Sequence, residues 1–129
     1  TVGDLLKRKG DRPLLSITPD STAADAIRVL QSAGISQVPV MKDGQPVGGV
    51  QEITLARVLH DHGDPEKVKV ADIMAKSLPT LDVRTHLDEA YRLLMAGNTG
   101  VLATNAGSVV GIVTRIDLID YWTNQRNGG

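Results

Sequence analysis

An internal repeat constrains this chain more than any other feature. The run Val109-Val110-Gly111-Ile112-Val113-Thr114-Arg115-Ile116-Asp117-Leu118 has an earlier double, Pro46-Val47-Gly48-Gly49-Val50-Gln51-Glu52-Ile53-Thr54-Leu55, 63 residues upstream. In the later copy, β-branched residues around a glycine run into Thr-x-x-Asp and then an apolar period of three to four. That pattern reads as a strand turning directly into a helix. The helix N-terminus so created carries unpaired N–H donors, flanked by a hydroxyl and a carboxylate, and suits a small polar ligand. The earlier copy keeps the strand and the glycine but has Gln51 where the later has Thr114, and Thr54 where it has Asp117.

The repeat extends in both directions. Val2-Gly3-Asp4-Leu5-Leu6-Lys7 and Val70-Ala71-Asp72-Ile73-Met74-Ala75 read as matching short helices. The segments Leu14–Ile17 and Leu78–Leu81 read as matching extended stretches. Ala23, Ala26, Ile27 and Leu30 fall at i, i+3, i+4 and i+7, as do Leu87, Ala90, Tyr91 and Leu94, so each set predicts a helix burying one stripe, with Tyr91 in the core. Thr22-x-x-Asp25 and Thr85-x-x-Asp88 resemble capping boxes, which places the N-caps at Thr22 and Thr85. Residues 36–41 and 100–104 read as strands, followed by the hairpin turns Lys42-Asp43-Gly44-Gln45 and Asn105-Ala106-Gly107-Ser108. Asp61–Glu66 is the polar break. The linear reading is therefore two halves, residues 1–63 and 64–129, each a small sheet with two packed helices. Their pseudo-twofold relation would make two equivalent clefts between them.

Composition narrows the class. At 129 residues and 41% hydrophobic content the chain can bury one respectable core. With aromatics at 2% and no Phe, aliphatic side chains must fill it, which favours an α/β (α+β) layer structure. A formal net charge of −1, with basic residues scattered, provides no electrostatic basis for a nucleic-acid partner. No apolar run is long enough for a membrane span and no secretory leader pattern is present, so the expected location is cytoplasmic, in keeping with the absence of cysteine.

Catalytic constellations are missing: there is no cysteine nucleophile, no serine elbow, and Gly48-Gly49 is no phosphate-binding fingerprint. His60-Asp61-His62 with Asp64 and Glu66 reads as a solvated loop rather than a metal site, and His86 as an exposed first-turn residue. The reading is a non-catalytic chain with no metal.

The double repeat, Val38-Pro39-Val40 and Gly111-Ile-Val-Thr-Arg-Ile-Asp117 resemble the CBS domain, whose tandem pair is the Bateman module. Within that family the opening Thr1–Leu6, the segment Gly34–Val40 and the ending Asp117–Trp122 are most similar to the C-terminal regulatory region of cystathionine β-synthase. The resemblance implies a regulatory module that binds an adenosyl effector, S-adenosylmethionine first and AMP or ATP second, in a cleft between repeats. It also implies an associated pyridoxal-phosphate catalytic domain, and a homodimer whose candidate contacts are Leu55, Val58 and Leu59.

Carried over position by position, the ribose hydroxyls fall to Asp117, a carboxylate able to accept from both diol hydrogens. The ligand's phosphate or polar tail falls to Thr114, and the cleft walls to Ile112 and Ile116. The base falls to Ile35, Ser36, Gln37 and Val38, with Thr18 or Asp82 near the first strands as a further contact. Arg115 is the basic neighbour of the motif. The companion cleft, with Thr54 and Gln51, is expected to bind weakly or not at all. A competing reading makes Asp117 a helix cap alone. A structural dimerisation module, or the regulatory pair of another nucleotide-sensing enzyme or transporter, is the alternative function.

Overall fold

The computed structural model describes residues 1–10 and 14–126 and divides into two compact units. The central unit spans Leu15–Ser77; the terminal unit combines Thr1–Leu14 with Leu78–Gly129.

In the central unit, β1 (Gln37–Lys42) and β2 (Gln45–Gln51) form an antiparallel hairpin with Val38 opposite Val50 and Val40 opposite Gly48. The turn holds Asp43 at φ 53° and Gly44 at φ 78°, the two positive dihedrals that match the twist of the flanking strands. Ile17 pairs with Val40 in a single parallel bridge, so the first extended segment contributes one contact rather than a full strand. Helix α2 (Ala23–Ala33) follows Thr22, whose hydroxyl accepts from Asp25 N while Asp25 accepts from Thr22 N. That backbone bond, reinforced by Arg28, holds the Asp25 carboxyl below its ordinary value. Helix α3 (Glu52–Asp61) starts directly at the end of β2. Val38, Val40, Val50, Ala23, Ala26, Leu30, Leu55, Val58 and Val70 form this unit's core. Leu55 and Val58 are therefore not the exposed contacts the sequence suggested; of that trio only Leu59 is exposed. The helix face that carries Leu55 and Val58 is the one that closes over the hairpin.

The terminal unit has a three-stranded sheet of order β3 (Thr80–Asp82), β4 (Val101–Asn105), β5 (Ser108–Val113), with β3 parallel and β5 antiparallel to β4. Helix α5 (Leu87–Met95) buries Leu87, Ala90 and Leu94 against this sheet. Two expectations fail here. The N-cap is His86, whose Nδ1 accepts from Asp88 N at 3.1 Å, because Thr85 is held outside the helix by its carbonyl, which accepts from Val2 N at 2.8 Å. Tyr91 is exposed rather than core; its ring meets Trp122 of α6 (Arg115–Arg126) at 6.2 Å with a 58° tilt, a tilted pair of the kind aromatic quadrupoles favour.

The two opening helices explain why the compact units do not follow the linear halves. Helix α1 (Val2–Lys9) belongs to the terminal unit, where Val2 N and Gly3 N donate to Thr85 O and Val83 O at 2.8 and 2.7 Å. Helix α4 (Val70–Ile73) belongs to the central unit, where Val70 N and Ala71 N donate to Ser21 O and Pro19 O at 2.8 and 3.0 Å. The same pair of orphan helix donors thus finds the same pair of carbonyls in each unit. Each helix then lies against a glycine of a strand. A Cβ on Gly111 would stand 2.9 Å from Leu6 Cδ2, and one on Gly48 would stand 2.8 Å from Met74 Sδ and 2.9 Å from Ala75 O.

These two glycines differ in what they would displace. Leu6 presents the ends of a flexible side chain, whereas Ala75 O is backbone and bridges to Gly49. Gly48→Ala should therefore cost about 1–3 kcal/mol through overpacking. Gly111→Ala should stay within about 1 kcal/mol of wild type, because a side chain can turn away at the cost of a rotamer change. Denaturant unfolding of the two variants side by side checks the ranking.

Candidate functional site

Only Thr114 separates the end of β5 from the start of α6, so the helix N-terminus is set by the strand and anchored by Leu118, which is buried. Asp117 is an acid in the first turn, a position the helix dipole favours. Its Oδ2 accepts from Thr114 N at 2.8 Å and Thr114 Oγ1 at 3.0 Å. This is half of a capping box: the carboxylate reaches back to the cap N–H, but the threonine hydroxyl donates to the carboxylate. A third donor converges on the same oxygen. Lys9 Nζ lies 3.0 Å from Asp117 Oδ2 and 2.9 Å from Ile112 O. Among the described residues, no donor is directed at Oδ1.

The Lys9–Asp117 pair differs from the other ion pairs among the described residues in its shielding. Its side chains are 29% and 12% exposed, against 61% for both partners of Arg28–Glu66, so solvent screens it less. Beside it lies a hollow of about 340 Å³ whose lining includes Leu5, Arg8, Lys9, Asp117, Asp120 and Tyr121. A wider depression of about 510 Å³ along α2, at Arg28, Val29, Gln31 and Ser32, holds none of the predicted site residues.

The predicted residues fall into two sets, one in each unit. In the terminal unit Ile112 is half-buried and offers its carbonyl to Lys9, Thr114 and Asp117 share the cap, and Ile116 is exposed. In the central unit Ile35 and Ser36 are exposed just after Gly34, which ends α2 in the left-handed conformation at φ 65°. Ser36 O accepts from Glu52 N at 3.0 Å, and Gln37 opens β1 opposite Gln51. Val38 is buried in the core, which leaves its backbone alone for any recognition role. Thr18 shares a hydrogen bond with Ser21 at 3.1 Å. Asp82 is engaged by Arg84 through Nε, Nη2 and backbone N–H, and these bonds hold its carboxyl below the ordinary value.

Lys9 is the residue the sequence did not single out. Arg115 is adjacent to the motif, whereas Lys9 is separated from Asp117 by 108 positions. The available signal was helical phase: Lys9 is one turn beyond the buried Leu5 and so shares its face. At the corresponding positions of the central unit stand Ser77 and Thr54, which cannot form an ion pair. Among the described residues, no group of three His, Asp or Glu side chains is placed to hold a metal ion, and His60 is exposed beside Asp61.

The CBS domain family model matches residues 2–61 and 70–124. The chain belongs to the CBS domain family. As a CBS pair it is similar to the CBS-domain protein ATU1752 of Agrobacterium tumefaciens, with 25% identity, a TM-score of 0.80 and coverage of 94% of this chain and 98% of that one. It is also similar to CBSX2 in a structure with AMP, at 26% identity and TM-score 0.78, with 98% of each chain covered. CBSX2 of Arabidopsis thaliana shares the fold at TM-score 0.81 and 23% identity over 98% and 96% of the two chains. An uncharacterised protein of Methanopyrus kandleri is 24% identical over 125 residues, 92% of this chain; the chain spans 61% of that relative's length.

Two roles at Asp117 predict different costs in the two units. Asp117→Ala removes the acceptor of Thr114 N and leaves Lys9 without its carboxylate, and should destabilise the chain by about 1–3 kcal/mol. Thr54→Ala, at the corresponding position with no charge to strand, should stay within about 0.5 kcal/mol of wild type. Thermal unfolding of both variants measures the difference.

Proposed function

We propose that this CBS pair is a regulatory module that binds an adenosyl compound and transmits its presence to an associated protein. Asp117 is the residue on which the reading rests. Its carboxylate is oriented at a helix mouth by Thr114 and Lys9 through one oxygen, and no donor among the described residues is directed at the other. A ribose hydroxyl is a donor suited to that oxygen. AMP in the CBSX2 structure supports the ligand class. In this reading Thr114 and Ile112 serve the polar tail and the wall, Ile116 adds apolar contact, and Ile35, Ser36, Gln37 and the Val38 backbone receive the base. The central unit's Thr54 and Gln51 take the corresponding role weakly or not at all.

The finer form of the proposal draws on the resemblance to cystathionine β-synthase, in which S-adenosylmethionine is the effector and a pyridoxal-phosphate enzyme the regulated partner. Regulation follows only if the effector binds two arrangements of the module with different affinity. Thermal unfolding with AMP, ADP, ATP and S-adenosylmethionine tests the ligand class. A ligand at about a hundred times its dissociation constant should add about 2.7 kcal/mol, a rise of several degrees. The rise should be absent in Asp117→Ala measured against its own ligand-free midpoint. No rise with any of the four compounds would remove the sensor reading.

A second reading, that the module joins subunits as a homodimer, has its own observation. Tyr91, Met95, Ile116, Ile119 and Trp122 are exposed on α5 and α6 of the terminal unit, more apolar side chains than two helices need leave uncovered. Sedimentation velocity without ligand should give a dimer that Ile119→Glu reduces to monomer. A monomeric wild type at tens of micromolar would exclude this reading.

A further inference from the structure

The candidate site contains a cation that the family-like motif does not encode. Lys9 Nζ is held by two acceptors of different kinds, the Asp117 carboxylate at 3.0 Å and the Ile112 backbone carbonyl at 2.9 Å. An ammonium has three donors, and these contacts use two. Because one acceptor is the backbone of β5, the ammonium is tethered even when the carboxylate takes on other donors. Because Lys9, Thr114 N and Thr114 Oγ1 all bond to Oδ2, a hydroxyl can be accepted at Oδ1 without displacing Lys9. A ligand held at Oδ1 therefore sits beside a fixed positive charge.

The charge of the adjacent hollow depends on this ammonium. The hollow next to the pair is lined by Arg8 and Lys9 on α1 and by Asp117 and Asp120 on α6, a formally balanced set. Without Lys9 the balance is one negative charge, which would favour a cationic ligand. With it, Asp117 is neutralised and the ammonium's third donor is left to recruit an anion.

We propose that Lys9 sets the charge class of the ligand: the Asp117 site takes adenosyl compounds whose 5′ substituent is an anion, a mono- or polyphosphate, in preference to uncharged adenosine or the sulfonium of S-adenosylmethionine. This rests on the reading that Asp117 receives the ribose, and it replaces the S-adenosylmethionine form of that reading with the nucleotide form. Lys9 is then a specificity-determining residue, while Thr114 and Asp117 supply the contacts common to all adenosyl ligands.

Isothermal titration of the full chain with adenosine, AMP and S-adenosylmethionine tests it, for wild type, Lys9→Met, Lys9→Arg and Asp117→Ala. Wild type should bind AMP at least about tenfold more tightly than adenosine, equivalent to about 1.4 kcal/mol. Lys9→Met should bring the two within about twofold by weakening AMP and not adenosine, and should strengthen S-adenosylmethionine; Lys9→Arg should keep the preference for AMP. The wild-type chain supplies a check free of any folding defect: raising salt should weaken AMP and leave adenosine unchanged. An AMP-to-adenosine ratio unaltered by Lys9→Met and by salt, with Asp117→Ala abolishing binding, overturns the role of Lys9 and leaves the Asp117 site standing. Wild type that binds none of the three compounds, or Asp117→Ala that binds AMP as wild type does, overturns the site and the role of Lys9 together.

Discussion

The close approach of α1 to β5 at Gly111 is the contact on which the candidate site depends. Leu6 occupies the space a side chain at position 111 would take, and helical geometry puts Lys9 on the same face, one turn on. From there the ammonium reaches the carbonyl of Ile112, the residue after that glycine, and the carboxylate of Asp117 on the helix that follows. A strand residue too large for Leu6 to turn away from would lift the helix and take Lys9 out of reach of both acceptors. This glycine inside β5 is thus what lets a distant lysine meet the motif.

The central unit repeats this scaffold and omits its chemistry. Met74 rests on Gly48 as Leu6 does on Gly111, and the N–H groups of Val70 and Ala71 find carbonyls as those of Val2 and Gly3 do. Yet Ser77, Gln51 and Thr54 stand where the terminal unit has Lys9, Thr114 and Asp117. Helix α3 begins without a side-chain cap hydrogen bond from Gln51, whereas the start of α6 is closed by Asp117 and Thr114. The packing contacts are retained in both units because each needs its core closed. The polar set is free to differ because the helix start tolerates either arrangement at a cost of about a kcal/mol.

Apolar periodicity located the helices but misassigned some of what they bury. Tyr91 falls on the stripe with Leu87, Ala90 and Leu94, yet a tyrosine at the edge of that stripe can tilt outward, and here it meets Trp122. Leu55 and Val58 were expected outside and lie within, because α3 turns that face to the hairpin. The cap of α5 moved from Thr85 to His86 for a related reason: a tertiary hydrogen bond from Val2 competed for the Thr85 backbone.

What the sequence determined by itself was most of what is local or repeated. The strand-to-helix turn at Thr114, the capping box at Thr22, the positive-φ hairpins at Asp43-Gly44 and Ala106-Gly107, and the diverged second motif are written in residues a few positions apart. Tertiary structure alone decided which opening helix joins which sheet, and hence that Lys9 meets Asp117. Those choices depend on side-chain volume at two glycines and on orphan N–H groups finding carbonyls far along the chain. A repeated sequence leaves both pairings open, since each opening helix carries nearly the same pattern; only the packed molecule selects between them.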